Sequence, residues 1–208
     1  MSLFVTFEGI EGSGKSTQIR LLGDALRAAG TSVLTTHEPG ATAVGKALRA
    51  VLLDPAHTEL TPLTELLLYC ADRHQHVAEC IRPALAASTV VLCDRFSDST
   101  IAYQGYGREI DLALVRSLDA SARDGVAPAL TFVLDCPVTE GLERARRRSG
   151  AADRLEAEPL DFHERIRTAF LALAREAPER YVVVDSTQPI ERIHAQIAAE
   201  TMRRLGAG

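Results

Sequence analysis

Lysine is nearly absent: only Lys15 and Lys46 occur, and every other basic residue is an arginine. That scarcity makes the position of Lys15 informative. Long apolar runs are also missing; stretches such as 66–68 and 90–93 are far too short to cross a bilayer. The start, Met-Ser-Leu-Phe-Val-Thr-Phe-Glu, has no basic segment, so no signal peptide is expected. The cysteines Cys70, Cys80, Cys93 and Cys136 form no Cys-x-x-Cys clip, and no histidine stands at ligand spacing from them. The expectation is therefore reduced, buried thiols in a cytoplasmic protein rather than a disulfide framework or a zinc site. Positive charge is deficient: 23 Lys and Arg face 28 Asp and Glu, for a formal charge of −5. Such a chain lacks the basic field that a nucleic-acid backbone requires, so neither a nucleic-acid nor a membrane partner is expected. A small phosphate ligand in a local basic pocket remains compatible.

What is present is ordinary globular material, with 46% hydrophobic and 25% charged residues over 208 positions. These values exclude a disordered tail, a collagen-like rod and a coiled coil. Five short apolar runs, 3–7, 32–36, 89–93, 130–134 and 181–184, read as strands buried on both faces. Helical spacing runs through 15–29, 43–53, 60–87, 111–124, 139–148, 161–175 and 189–205. The alternation predicts an α/β fold, a three-layer sandwich whose five-stranded parallel sheet is flanked by helices. No internal repeat or dividing linker appears, so residues 1–208 are expected to form a single domain.

The strongest motif follows the first strand. Gly9-Ile10-Glu11-Gly12-Ser13-Gly14-Lys15-Ser16 fits G-x-x-x-x-G-K-[ST] in full. Its glycines let the backbone fold into a nest of inward N–H groups, and the following helix adds its positive dipole end. Lys15 can then reach the β- and γ-phosphates of a nucleotide, and the Ser16 hydroxyl can ligate Mg²⁺. The third strand ends in Asp94-Arg95. A carboxylate there suits a direct or second-sphere Mg²⁺ ligand facing the P-loop, and Arg95 beside it calls for an anion. The run from 144 to 158 is densely charged, with a small-residue break at 149–152. It reads either as a solvated helix end and surface loop, or as a mobile lid that carries arginines over an anion.

Further blocks extend the P-loop in a fixed order. They are Phe7-Glu8-Gly9 through Ser16-Thr17, His37-Glu38-Pro39-Gly40-Ala41-Thr42, Leu67-Leu68-Tyr69-Cys70-Ala71-Asp72-Arg73, and Asp94-Arg95-Phe96-Ser97-Asp98-Ser99-Thr100-Ile101-Ala102-Tyr103-Gln104-Gly105. Asp153-Arg154-Leu155-Glu156 and Leu160-Asp161-Phe162-His163-Glu164-Arg165 follow. From residue 7 to about 173 the sequence resembles the bacterial thymidylate kinases, and the acidic Glu11 is part of the likeness. It departs at His37, where the family usually has arginine, at Ala41, where it has glycine, and at Tyr69, where it has phenylalanine.

The resemblance implies ATP-dependent phosphorylation of dTMP to dTDP for dTTP synthesis, with Mg²⁺ as cofactor and a homodimeric assembly. Residues Gly9 to Thr17 would cradle ATP. Tyr69 would stack on thymine, Arg73 would donate to a base oxygen, and Thr100 and Gln104 would bond the base edge. Tyr103 would crowd the place of a 2′-hydroxyl; Glu38, Arg49, Arg95 and Ser99 would line the acceptor pocket, with Glu11 near the acceptor sugar or phosphate. From spacing alone Tyr69 reads rather as a core aromatic on a buried helix, although its four-residue step to Arg73 sets both on one helix face and weakens that reading. The lid would span about 144–158 and bring a cation to the transferred group. Arg148, beside the small-residue break, is the first candidate, with Arg146 and Arg154 next. Two rivals carry different signatures. A kinase for another small acceptor would differ in the base it reads, and a GTPase switch needs an Asn-Lys-x-Asp motif that neither lysine provides.

Overall fold

The computed structural model describes residues 2–149 and 153–206. Strands β1 (Phe4–Glu8), β2 (Val33–His37), β3 (Val90–Asp94), β4 (Leu130–Asp135) and β5 (Tyr181–Asp185) form one sheet. Its order is β2-β3-β1-β4-β5, and every pairing is parallel. The helices are α1 (Lys15–Ala28), α2 (Ala43–Leu53), α3 (Pro62–His76), α4 (Arg82–Ala86), α5 (Ser97–Thr100), α6 (Leu112–Arg123), α7 (Val138–Ser149), α8 (Leu160–Glu176) and α9 (Ile190–Gly206). A π-helical stretch, Val77–Ile81, joins α3 to α4. This is the expected three-layer α/β architecture.

One face of the sheet packs on α1 and α9, where Ile19, Leu22, Ile193 and Ile197 meet Phe7, Leu92 and Phe132. On α1, Lys15, Ile19, Leu22 and Leu26 are buried, a stripe at helical spacing. The other face is covered by two clusters, one around Phe4, Val91 and Phe96, the other around Val133, Ile166 and Phe170. The three central strands are buried on both faces, whereas β2 and β5 are only partly covered; Val183 is 43% exposed. Being at the edges, those two strands have a neighbour on one side only.

The strands differ from the apolar runs in one respect that matters for function. Each ends on a polar residue beyond the run: Glu8, His37, Asp94, Asp135 and Asp185. The hydrogen-bond ladder continues past the hydrophobic pattern, and these residues crowd the carboxyl edge, where open α/β sheets hold their ligands. A second difference is an unexpected element. The segment after β3 forms α5 and a π-helical stretch, Ile101–Gly107. Ile101 to Gly105 are all buried, so no polar side marks a helical period.

Candidate active site

The P-loop lies between β1 and α1, with α1 beginning behind Gly14 in a left-handed conformation. Gly12 (φ +69°) is irreplaceable on steric grounds: a Cβ there would stand 1.9 Å from the Gly141 carbonyl oxygen. The Lys15 ammonium donates to the carbonyl oxygens of Gly9 (2.9 Å) and Ile10 (2.8 Å) and to Ser13 Oγ (3.3 Å). Burial, and then Arg95, pull Lys15 down to about 8. Ser16 Oγ donates to Asp94 Oδ2 at 2.7 Å, which brings the two metal candidates, one from α1 and one from the end of β3, to one point.

Arg95 follows β3 with φ +67°, a rare conformation for a side chain of this size. The turn aims its guanidinium at Glu11 Oε1 (3.0 Å) and Ser99 Oγ (3.2 Å), over the ring of Tyr103 at 4.9 Å. Tyr103 donates its hydroxyl to the same Glu11 oxygen. Burial alone would raise the Glu11 carboxyl, but Arg95, His163, Lys15 and Tyr103 outweigh it and hold the group well below the carboxylate range. Beneath this layer Glu8 accepts from Phe96 N (2.8 Å) and Ser99 Oγ (2.6 Å). Burial and the nearby Asp98 push the Glu8 carboxyl up to about 8.

The far end of the cleft is built on α3 and the π-helical stretch. Arg73 is 1% exposed and held by Glu38 Oε2 (2.9 Å), Asp119 Oδ1 (2.8 Å) and Thr100 Oγ1 (2.8 Å). Its guanidinium is thereby fixed before any ligand arrives. Gln104 donates Nε2 to Glu65 Oε1 at 2.8 Å. Arg49 donates to Pro39 O at 2.8 Å.

These groups share one cleft of about 430 Å³. Its wall runs from Gly12, Gly14, Lys15, Ser16 and Thr17, past Glu11, Asp94, Arg95, Ser99 and Tyr103, to Glu38, Arg49, Tyr69, Arg73, Thr100 and Gln104. Gly9, Ile10 and Ser13 stand behind that wall; Ile10 packs into the core and Ser13 accepts from Lys15. Among the described side chains, Arg146 and Arg154 are not lining residues. Arg146 is exposed on α7, and Arg154 is anchored by Glu65 Oε2 (2.6 Å) and Leu52 O (2.9 Å). The side chain of Arg148 and residues 150–152 of the expected lid lie outside the described residues.

Sequence reasoning passed over four contributors. Glu8 sits within a quoted block and Glu65 two residues before one, but neither carries any one-dimensional mark of burial. His163, buried on α8, brings Nδ1 to 3.5 Å from Glu11 Oε2. Gly141 on α7 lets the P-loop backbone approach closely: a Cβ there would stand 2.6 Å from Glu11 O.

A phosphate nest and a pocket walled by an aromatic ring and fixed hydrogen-bonding groups open into the same space. That layout serves transfer of a phosphoryl group from a nucleotide to a second small molecule, and the molecule is of the P-loop kinase class. The family model of thymidylate kinase matches residues 7–197, and the chain belongs to that family. It is 49% identical over 213 residues to the thymidylate kinase of Geotalea uraniireducens, covering 100% of both chains. It is 51% identical over 215 residues to that of Desulfovibrio desulfuricans, covering 99% of both. The crystal structure of thymidylate kinase from Ehrlichia chaffeensis aligns with TM-score 0.78 and 34% identity, over 96% of this chain and 98% of that one. The family's reaction is ATP-dependent phosphorylation of dTMP to dTDP, the activity of a nucleoside monophosphate kinase.

Proposed function

We propose that ATP lies with its phosphates in the P-loop and dTMP lies at the Tyr69 end of the same cleft, so that transfer crosses the space beside Arg95. The carrying observation is the continuity of that cleft from Lys15 to Gln104. Phosphoryl transfer needs positioning and charge neutralisation more than a strong base, because the acceptor is already a phosphate. Lys15 and Arg95 supply fixed positive charge. Glu11 holds Arg95 over Tyr103 and so sets where that charge stands. Tyr69 stacks on the base, Arg73 and Thr100 offer hydrogens to it, and Tyr103 occupies the space a ribose 2′-hydroxyl would need.

Ser16 and Asp94 are the residues that would hold Mg²⁺. A hydroxyl and a carboxylate 2.7 Å apart form the hard-oxygen donor set this ion prefers, with phosphate oxygens and water completing its shell. When bound, the ion neutralises phosphate charge. The lid over 144–158 closes on the transferred group, with an arginine of α7 as its cation.

The protein acts as a cytoplasmic homodimer. Its four cysteines are free, and no helix among the described residues is long and apolar enough to cross a membrane. Exposed Val44 and Val51 on α2, Leu63 and Leu67 on α3 and Leu114 on α6 suit a partner subunit, since α3 packs between the other two helices. The deciding experiment is an acceptor panel with ATP–Mg²⁺ over dTMP, dUMP, dCMP, UMP and AMP. Turnover is expected to be highest on dTMP and to fail on AMP. A preference for dCMP or AMP would overturn the reading.

A further inference from the structure

Gln104 carries both a donor and an acceptor on one amide, and a half-turn about its last bond exchanges them. An amide free to turn cannot tell a ring N–H from a ring nitrogen lone pair. Here it is not free. Gln104 is 1% exposed, and its Nε2 lies 2.8 Å from Oε1 of Glu65, which is itself fully buried. The partner's charge state decides which end of the amide faces it. Arg108 donates to Glu65 Oε1 (3.2 Å) and Oε2 (3.0 Å), and Arg154 stands 2.6 Å from Oε2. Burial would raise the Glu65 carboxyl, but the bonds from Arg108 and Gln104 and the charge of Arg154 hold it below its ordinary value. An ionised carboxylate accepts and never donates. The nitrogen of Gln104 must therefore face Glu65, which leaves Oε1 as the group it offers the cleft.

We propose that Glu65 is a positioning residue for base selection: it locks the Gln104 amide so that the cleft presents a carbonyl oxygen to the ring N–H of a thymine or uracil. The proposal rests on the placing of dTMP at this end of the cleft.

Glu65, Tyr69 and Arg73 stand four residues apart on α3 and so share one helix face. The face carries, in order, the lock, the stacking ring and a guanidinium. Arg73 can only donate, and the Thr100 hydroxyl, already accepting from Arg73, has its hydrogen left to give. Donors beside a fixed acceptor complement the carbonyl and N–H of a thymine or uracil edge. Cytosine presents the reverse, an amino group and a bare ring nitrogen, and would set two lone pairs against each other at Gln104. A site of this kind discriminates strongly, because the wrong base leaves buried polar groups unpaired.

The test is Glu65→Gln, whose side chain can donate as well as accept and so releases the amide of Gln104. With ATP–Mg²⁺ held constant, kcat/KM is measured for dTMP, dUMP and dCMP; where dCMP turns over too slowly, its inhibition constant against dTMP is used. The expected result is a fall of about tenfold or more in the dTMP:dCMP ratio, with the dTMP:dUMP ratio unchanged because those two bases share the edge. In a Gln104→Ala background the same substitution is expected to leave the ratio where Gln104→Ala alone puts it. If all three acceptors fall together, or if Glu65→Gln acts equally without Gln104, the proposal is overturned and Glu65 only anchors Arg108 and Arg154. Should Glu65→Gln fail to fold, Glu65→Asp keeps the charge but withdraws it from Gln104, and the same ratio decides. A wild-type enzyme that ignores dTMP would refute the functional reading instead, before any variant is made.

Discussion

Besides Glu11, two buried groups at the P-loop have displaced protonation, Lys15 downward and Glu8 upward, and both lose a proton near pH 8. Lys15, pulled down from 10.5 to about 8 by burial and Arg95, is a cation below that pH and loses its charge above it. The ratio kcat/KM for ATP reports the free enzyme and is expected to fall as pH rises past about 8. The kcat profile should hold to higher pH, because bound phosphates favour the charged amine. A coincident fall in both profiles would show that Lys15 is not the titrating group. Glu8 binds a proton in the folded protein between its ordinary 4.5 and about 8, a window in which the unfolded chain does not. Its contribution to stability is therefore full below 4.5 and is lost as pH rises through about 8. Glutamine mimics the protonated acid, so Glu8→Gln should lie within about 1 kcal/mol of wild type at pH 6. It should gain on wild type by pH 9, as read from denaturant melts at the two values. Both residues were visible as letters, Lys15 through its motif and Glu8 only as a member of the block around that motif. Neither displacement was, because it depends on which groups the fold brings alongside.

At the scale of elements, the close contact between the P-loop and α7 is the feature most sensitive to a single methyl group. Gly141→Ala sets a Cβ 2.6 Å from Glu11 O and 2.8 Å from the Ile10 side chain, so backbone must move. The expected outcome is a roughly tenfold higher KM for ATP, or about 1.4 kcal/mol, with a melting temperature still showing a folded protein. An unchanged KM would mean that the loop tolerates displacement. The same helix continues into the arginines of the proposed lid. Arg144 and Arg147 are paired with Glu140 and Glu143 on their own helix. Arg146 is exposed, and Arg148 is the candidate beside the small-residue break of the sequence, so these are the residues to change together. The Arg146→Ala, Arg148→Ala double variant is expected to lose at least tenfold in kcat with ATP binding largely kept, where such arginines can contribute about 10³–10⁵. Normal turnover would make the run a solvated face. The charge run itself announced a choice between these readings, and composition alone could not make it.

Across the whole molecule, five of the nine large apolar side chains left exposed among the described residues lie on α2, α3 and α6, with Leu63 at 47% and Leu67 at 48% exposure. Replacing Leu63 and Leu67 with glutamate is expected to convert the proposed dimer to a monomer in sedimentation, without unfolding the domain. A wild type that sediments as a monomer would remove this part of the proposal. The helix carrying these leucines also carries Glu65, Tyr69 and Arg73 on the face turned inward. In the proposed dimer, assembly and acceptor recognition would use opposite sides of one helix, so loss of the partner would loosen α3, and a monomeric variant is expected to show a weakened KM for dTMP before any change in KM for ATP.

The sequence by itself determined the sheet-and-helix alternation, because central strands buried on both faces and amphipathic helices have different apolar periods. It also determined the phosphate loop, whose glycines, lysine and serine act within one contiguous turn. It did not reveal the helix after β3, since an element buried all round shows no period. Nor did it reveal how Ser16 reaches Asp94, how Arg95 is held between Glu11 and Tyr103, or how Glu65 pins Gln104. Ser16 and Asp94, Glu11 and Arg95, and Glu65 and Gln104 are separated by tens of residues, and only the packing of helices and loops around the carboxyl edge of the sheet sets them within bonding distance.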